Sequence, residues 1–137
     1  MPKRAKSRPS LTSERIAALS PGPQPLPPLT THDFRRWIRE INKLCPTKYP
    51  VSVRRVAMPN DRVGDCAEYP TSWRIRIASH LDRASTADTL VHEWAHVLRD
   101  ETGVPPVWDP VEGCWRDHDE LYWQLHGQVW CKFYGSP

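Results

Sequence analysis

The sequence predicts a small α+β domain, and three observations support this fold class. Apolar residues recur at helical spacing in three segments, around residues 31–44, 86–99 and 117–134. Between the first and second of these segments, short runs alternate apolar and polar residues as half-buried strands do. The order is therefore helix, two or three strands, helix, loop and helix. This order is typical of an α+β domain with a short antiparallel or mixed sheet.

The first helix is predicted over residues 31–44, with Thr31 as its N-cap and Pro46 just after its end. Its apolar face comprises Phe34, Trp37, Ile38, Ile41 and Leu44. Strands are predicted over residues 51–57 and 73–79, and the sequence "DCAEY" at 65–69 predicts a short strand between them.

The second helix is predicted over residues 86–99, opened by a capping box of Ser85 and Asp88. A loop rich in proline and glycine follows over residues 101–116. The last helix is predicted over residues 117–134, with Gly135 as its C-cap.

A basic, proline-rich stretch precedes the predicted domain. The first fifteen residues contain five Lys or Arg side chains and one acid, and "PGPQPLPPL" follows at 21–29. We predict a disordered tail and linker over residues 1–28 and a folded domain over residues 29–137. A basic tail can also contact nucleic acid or an anionic surface, and its Arg/Ser-rich composition leaves an organelle transit peptide open.

The formal net charge of +3 is only mildly basic and does not by itself favour one class of partner over another. No segment has the roughly 20 apolar residues that a membrane-spanning helix needs, and no signal-peptide core is present. The four cysteines include no C-x-x-C pair. We therefore expect reduced thiols, a cytoplasmic location and no membrane partner.

The second predicted helix contains "HEWAH" at residues 92–96, an H-E-x-x-H pattern. On a helix, His92 and His96 lie about 40° apart and leave the same face one turn apart. Glu93 flanks that face. Two neutral imidazoles in this arrangement can hold Zn²⁺ while the neighbouring carboxylate reaches a water on the metal. The alternative is an ordinary amphipathic helix with polar residues on one face.

A stable zinc site needs a third protein ligand. The segment after residue 116 offers His118, Asp119, Glu120 and His126. On a helical wheel, His118 shares the apolar stripe of the last helix and points into the core, where it needs a partner. Glu120 lies on the far side and His126 falls between. We therefore predict His118 as the third ligand, with Glu120 as the main alternative.

These residues carry a family resemblance. "TLVHEWAHVL" followed by "HDELYW" resembles the SprT-like and related minimal zinc metallopeptidases, many of them encoded by phages and bacteria. Their pattern is HExxH, a loop, and a histidine that opens a helix with an aromatic residue four positions later. His92, Glu93, His96, His118 and Tyr122 match it. Several relatives have Gly-Pro-Glu after the third histidine where this chain has Asp-Glu-Leu, which favours a looser grouping than SprT itself.

The resemblance extends over about residues 51–134 and implies a zincin-like metallopeptidase domain. It implies one catalytic Zn²⁺ ion between two helices, a strand along the cleft and, for a phage-encoded chain, the host cytoplasm. The expected reaction is peptide-bond hydrolysis. Zinc lowers the pKa of a water and polarises the scissile carbonyl, while Glu93 acts as general base.

Other side chains could assist this chemistry. Asp88 and Asp100 stand one turn before and one turn after the histidine pair, where either could orient an imidazole, although capping also explains Asp88. His126, Tyr122 or Tyr134 could stabilise the oxyanion, although Tyr122 fits packing beneath the metal better.

Three functions stay open at this point. The first is a zinc endopeptidase whose substrate adds to a free edge of strand 73–79. The second is a non-catalytic, zinc-stabilised interaction module, which would not need Glu93. The third is a protease that its basic tail recruits to DNA, as SprT-like relatives acting on DNA-bound proteins suggest. The expected partners are a protein or peptide substrate and, through the tail, nucleic acid.

Overall fold

A computed structural model describes residues 27–135 and shows the predicted α+β domain. The elements in chain order are α1 Thr31–Leu44, β1 Val51–Val56, β2 Gly64–Tyr69, β3 Ser72–Ala78, α2 Arg83–Glu101, β4 Trp108–Asp109, β5 Cys114–Trp115 and α3 Glu120–Tyr134. The tail predicted over residues 1–28 lies, except for its last two residues, outside the described part of the chain.

The main sheet has three strands in the order β1-β3-β2. The central strand, β3, runs parallel to β1 and antiparallel to β2. The prediction that this strand offers a free edge to a substrate is therefore wrong, because both of its edges are hydrogen-bonded within the sheet. The outer strands are β1 and β2.

The core lies between one face of this sheet and the helices. On β3, Trp73, Ile75 and Ile77 are at most 3% exposed and belong to the same cluster as Leu90 and Trp94 of α2. Their alternation along the strand is the period of two that the sequence shows.

Two sets of polar contacts, of which the first is buried, tie α2 to the rest of the domain. The indole Nε1 of Trp94 donates to the backbone oxygen of Cys45 at 2.8 Å, after the end of α1. At the other end, the Glu101 carboxylate accepts hydrogen bonds from the backbone N–H of Lys48 and Tyr49 and from Trp73 Nε1. The helix that carries the H-E-x-x-H pattern is thus tied to α1 and to both parallel strands.

The helix starts differ from the sequence predictions. The N-cap of α1 is Thr30 rather than Thr31, since Thr30 accepts a hydrogen bond from Asp33 N at 3.0 Å. The capping box predicted for Ser85 and Asp88 is also wrong. The Asp82 carboxylate accepts from Ser85 N at 2.7 Å, so α2 begins three residues earlier.

The last helix begins at Glu120 rather than at residue 117, and Asp119 is its N-cap. Consequently, His118 lies outside the helix on which the wheel placed it. Gly135 is confirmed as the C-cap, with the positive φ of 80° that glycine tolerates.

The segment predicted as a plain loop over residues 101–116 contains the β4–β5 hairpin. Trp108 and Trp115 pair across it with ring centroids 5.1 Å apart, and both are about half exposed. The four cysteines are free thiols. Within residues 27–135, no helix combines the length and apolar character needed to cross a membrane.

Candidate metal centre

Three imidazoles meet where α2 faces the start of α3. His118 Nε2 lies 3.1 Å from Nε2 of His92 and 3.1 Å from Nε2 of His96. One ligand atom from each of the three residues lies within 4.8 Å of the other two. His92 is 9% exposed, and His96 and His118 are half-buried. The structure therefore brings the three predicted ligands together.

The spacing of these nitrogens fits a metal ion. Tetrahedral zinc bound at about 2.0–2.1 Å holds its nitrogen ligands about 3.3 Å apart. The two 3.1 Å separations are close to that value. The geometry therefore allows these three side chains to hold one metal ion.

His118 is held in place by its neighbour in the chain. The Asp119 carboxylate accepts hydrogen bonds from Arg99 on α2, with Nε–Oδ1 at 3.0 Å and Nη2–Oδ2 at 2.6 Å. The same carboxylate caps α3 by accepting from Tyr122 N at 2.8 Å. Asp119 thus joins the two helices one residue away from the third imidazole.

Arg99 completes this connection. Its guanidinium also donates to the backbone oxygens of Val104 at 2.8 Å and Pro105 at 3.1 Å, in the segment leaving α2. Arg99 and Asp119 are each 6% exposed. Hydrogen bonds from Arg99 hold the pKa of the Asp119 carboxyl below its ordinary value, and Asp119 raises the pKa of Arg99 in return.

The sequence analysis missed this pair as a support for the site. The signal for Asp119 was present, because an Asp followed by Glu before an apolar run is typical of a helix N-cap. Nothing local identifies Arg99, whose partner lies 20 residues away.

Tyr122 packs beneath the three imidazoles, as expected for the aromatic residue of the resemblance. Its ring centroid lies 4.5 Å from that of His96 and 4.7 Å from that of His118, and the side chain is fully buried. The hydroxyl donates to the backbone oxygen of His92 at 3.0 Å. This hydrogen bond favours a packing and positioning role over oxyanion binding.

Glu93 is fully buried beside the histidine face of α2. The first residue of β2, Gly64, lies directly against it. A Cβ at position 64 would come within 2.7 Å of Thr89 Cγ2 and 3.5 Å of Glu93 Cγ. The absence of a side chain at Gly64 lets β2 approach α2 next to Glu93.

The other acidic candidates are less closely placed. Glu120, the alternative ligand, is exposed on the first turn of α3 and is not part of the three-residue group. Asp88 lies half-buried one turn before His92. Asp100 is exposed as a residue. Partial desolvation of its carboxyl nevertheless raises its pKa, and the nearby carboxylates of Glu68, Asp117 and Asp119 raise it further.

His126 lies near the centre without joining it. Its ring centroid is 6.3 Å from that of His92, and the ring is flanked by Trp123 at 5.3 Å and Trp130 at 5.9 Å. It stays a candidate for a group that contacts a substrate.

No family model, curated protein or solved structure matches this chain. The resemblance to the SprT-like metallopeptidases therefore stays a prediction from the motif residues. The function has to be argued from the site itself.

Proposed function

We propose that this protein is a zinc-dependent endopeptidase of the SprT-like type. The observation that carries the proposal is the convergence of three Nε2 atoms, together with the complete burial of Glu93, which follows His92 in α2. His92, His96 and His118 would hold the ion, and Glu93 would act as general base. Three imidazoles suit zinc, although other first-row metals also bind such a set.

Bound zinc would supply Lewis acidity to the scissile carbonyl and to the attacking water. The chain's own task in the reaction is proton transfer. Glu93 stands next to a ligand histidine and is shielded from bulk solvent, so its carboxylate can accept the proton of the water and return it to the leaving amine. A site that only held the metal would need no carboxylate there.

The surrounding residues keep the imidazoles in position. The Tyr122 ring packs on His96 and His118, and its hydroxyl donates a hydrogen bond to the backbone oxygen of His92. The Arg99–Asp119 ion pair fixes the residue next to His118. Such outer contacts orient ligands and typically change metal affinity by about 10- to 100-fold.

We place an extended peptide substrate alongside β2. This strand then has the substrate-binding role that the sequence predicted for residues 73–79. β2 is an outer strand of the three-stranded sheet, and its first residue lies against Glu93. A peptide that adds to a strand is held by main-chain hydrogen bonds, so its scissile bond can be placed without a specific side chain.

The decisive experiment compares Glu93→Gln with His118→Ala. Glu93→Gln should keep about one zinc per chain in elemental analysis and lose peptide cleavage by at least about 100-fold, since the general base is removed. His118→Ala should lose both zinc and cleavage. Glu120→Gln, an exposed acid on α3, is the matched control and should cleave like the wild type.

Cleavage by Glu93→Gln at the wild-type rate would contradict the proposed general base. A wild-type chain that binds one zinc yet cleaves nothing in a broad peptide library would instead support the zinc-stabilised interaction module.

A further inference from the structure

The face of the three-stranded sheet that points away from α2 is rich in arginine. Because Ile75 and Ile77 of β3 are buried against α2, Arg74 and Arg76 lie on the opposite face. The strand register pairs Arg76 with Arg54 of β1 on this open face.

Positive charge dominates the open face. Asp65 of β2 is its one acidic strand residue, and it is already engaged by Arg76, with Nε–Oδ1 at 2.9 Å. Arg62, just before β2, adds another guanidinium 3.6 Å from the same aspartate. In the part of the chain that the structure describes, no carboxylate forms an ion pair with Arg54 or Arg74. Within residues 27–135, these two guanidinium groups can therefore meet an external anion without breaking an ion pair.

An aromatic ring lies next to these charges. Tyr69 at the end of β2 is 44% exposed, and the Arg74 guanidinium lies 5.6 Å from its ring centroid. An exposed ring beside arginine on a flat sheet is a surface on which a nucleobase can stack while its phosphate meets the guanidinium.

We propose that this open face binds single-stranded nucleic acid, with Arg54 and Arg74 contacting phosphates and Tyr69 stacking on a base. Arginine suits phosphate because its planar fork donates two parallel hydrogen bonds. Three strands span only about 10 Å, so the footprint covers a few nucleotides. We therefore expect weak binding that depends strongly on salt. The inference does not rest on the proposed peptidase activity.

The test uses the full chain and a fluorescein-labelled oligothymidylate of about 20 nucleotides, with binding followed by fluorescence anisotropy at several salt concentrations. The double variant R54A/R74A should bind at least about tenfold more weakly at low salt. The slope of the logarithm of its association constant against the logarithm of salt concentration should be less negative by about 1.4. This is the value for two lost phosphate contacts to a single strand. Tyr69→Ala should weaken binding at least about fivefold, and Tyr69→Phe should bind like the wild type.

The matched control is R35A/R39A, which removes two exposed arginines from α1 and leaves the same net charge as R54A/R74A. It should change binding less than about twofold if location on the sheet matters. Circular dichroism and zinc content confirm that each variant is folded.

Three outcomes would overturn the proposal. The first is equal loss of binding in the two double variants, which would indicate general charge attraction. The second is loss on removal of residues 1–28 with no effect of R54A/R74A, which would assign binding to the tail. The third is R54A/R74A-sensitive binding to phosphatidylserine vesicles without binding to the oligonucleotide, which would indicate a membrane surface.

Discussion

Gly64 is a single residue on which the approach of β2 to the candidate metal centre depends. An added Cβ would lie 2.7 Å from Thr89 Cγ2 and 2.9 Å from the backbone oxygen of Arg76. Real Cβ atoms do not come this close, so either the strand or α2 must move. The third nearest atom to this added Cβ is Glu93 Cγ, at 3.5 Å.

We expect Gly64→Ala to lower the free energy of unfolding by about 1–3 kcal/mol through overpacking, and to reduce peptide cleavage because Glu93 is displaced. Urea denaturation and a cleavage assay measure the two effects. Gly127→Ala is the control. Nothing lies within 4 Å of a Cβ there, in the middle of α3, so it should stabilise by about 0.5–1 kcal/mol. An unchanged stability of Gly64→Ala would show that the contact relaxes at no cost.

The hydroxyl of Tyr122 is a second residue-scale contact with a measurable effect. In Tyr122→Phe the ring stays in place while the backbone oxygen of His92 loses its donor at 3.0 Å. Loss of this buried hydrogen bond should lower the free energy of unfolding by about 0.5–1.5 kcal/mol, measured by urea denaturation.

If Tyr122 only packs and positions, Tyr122→Phe should keep most of its zinc and its cleavage activity. A loss of cleavage above about 100-fold at full zinc content would instead assign the hydroxyl to the oxyanion, because removing one such donor costs that much.

The start of α3 is the element whose placement completes the ligand set. His118 is not part of any regular element, and the adjacent Asp119 is fixed both as N-cap and as the partner of Arg99. The third candidate ligand is therefore positioned by a helix start and a buried ion pair rather than by helical periodicity.

We expect Asp119→Ala to lower the free energy of unfolding by about 3–5 kcal/mol, since it leaves the Arg99 guanidinium buried without its counter-charge. Zinc affinity should fall by about 10- to 100-fold, measured by competition with a chelator. The control is Asp82→Ala, which removes the N-cap of α2 at an exposed position and should cost about 1 kcal/mol with little change in zinc affinity. Equal effects of the two substitutions would mean that the ion pair adds nothing beyond capping.

At the scale of the whole molecule, stability at acidic pH should depend on the open face of the sheet. Hydrogen bonds from Arg76 hold the pKa of the Asp65 carboxyl below its ordinary value. A carboxyl whose pKa is lower in the folded state stabilises the protein above the unfolded-state pKa of about 3.9 and loses this effect as pH falls through the folded-state pKa.

Wild-type protein should therefore be more stable than Asp65→Asn at pH 7, and the difference should shrink below about pH 4. Solvent reaches the Arg76 side chain, which is 38% exposed, so we expect the difference at pH 7 to be about 1 kcal/mol or less. Thermal unfolding from pH 7 to pH 3 measures it. Asp61→Asn, an exposed acid before β2, is the control. A difference that stays constant over this range would contradict the role of the Asp65 charge.

Local patterns in the sequence were enough to predict the main helices and strands and part of the candidate site. Periodicity located three helices and three strands within a few residues, because burial of one face imposes a spacing that neighbouring side chains reveal. The pair His92 and His96 with Glu93 was equally readable, since a helix converts four-residue spacing into a shared face.

Other features depended on partners that are distant in the chain. The support of the third imidazole is one of them, since Arg99 and its carboxylate partner Asp119 lie 20 residues apart. The strand over residues 73–79 is central rather than free, since pairing with both β1 and β2 is a property of the sheet and leaves no mark in the strand itself.

The sequence by itself determined the chemistry available to this protein: two helical imidazoles, an adjacent carboxylate and a histidine downstream. It also predicted His118 as that histidine, but within the last helix. Only the tertiary structure showed that His118 precedes this helix and still meets the other two imidazoles. It also decided that Gly64 places β2 beside Glu93 and that Arg99 pairs with Asp119. The physical reason is the distance along the chain over which each kind of interaction acts. Helical and strand periodicity act over a few residues, whereas a metal centre and a buried ion pair form between segments that only folding brings together.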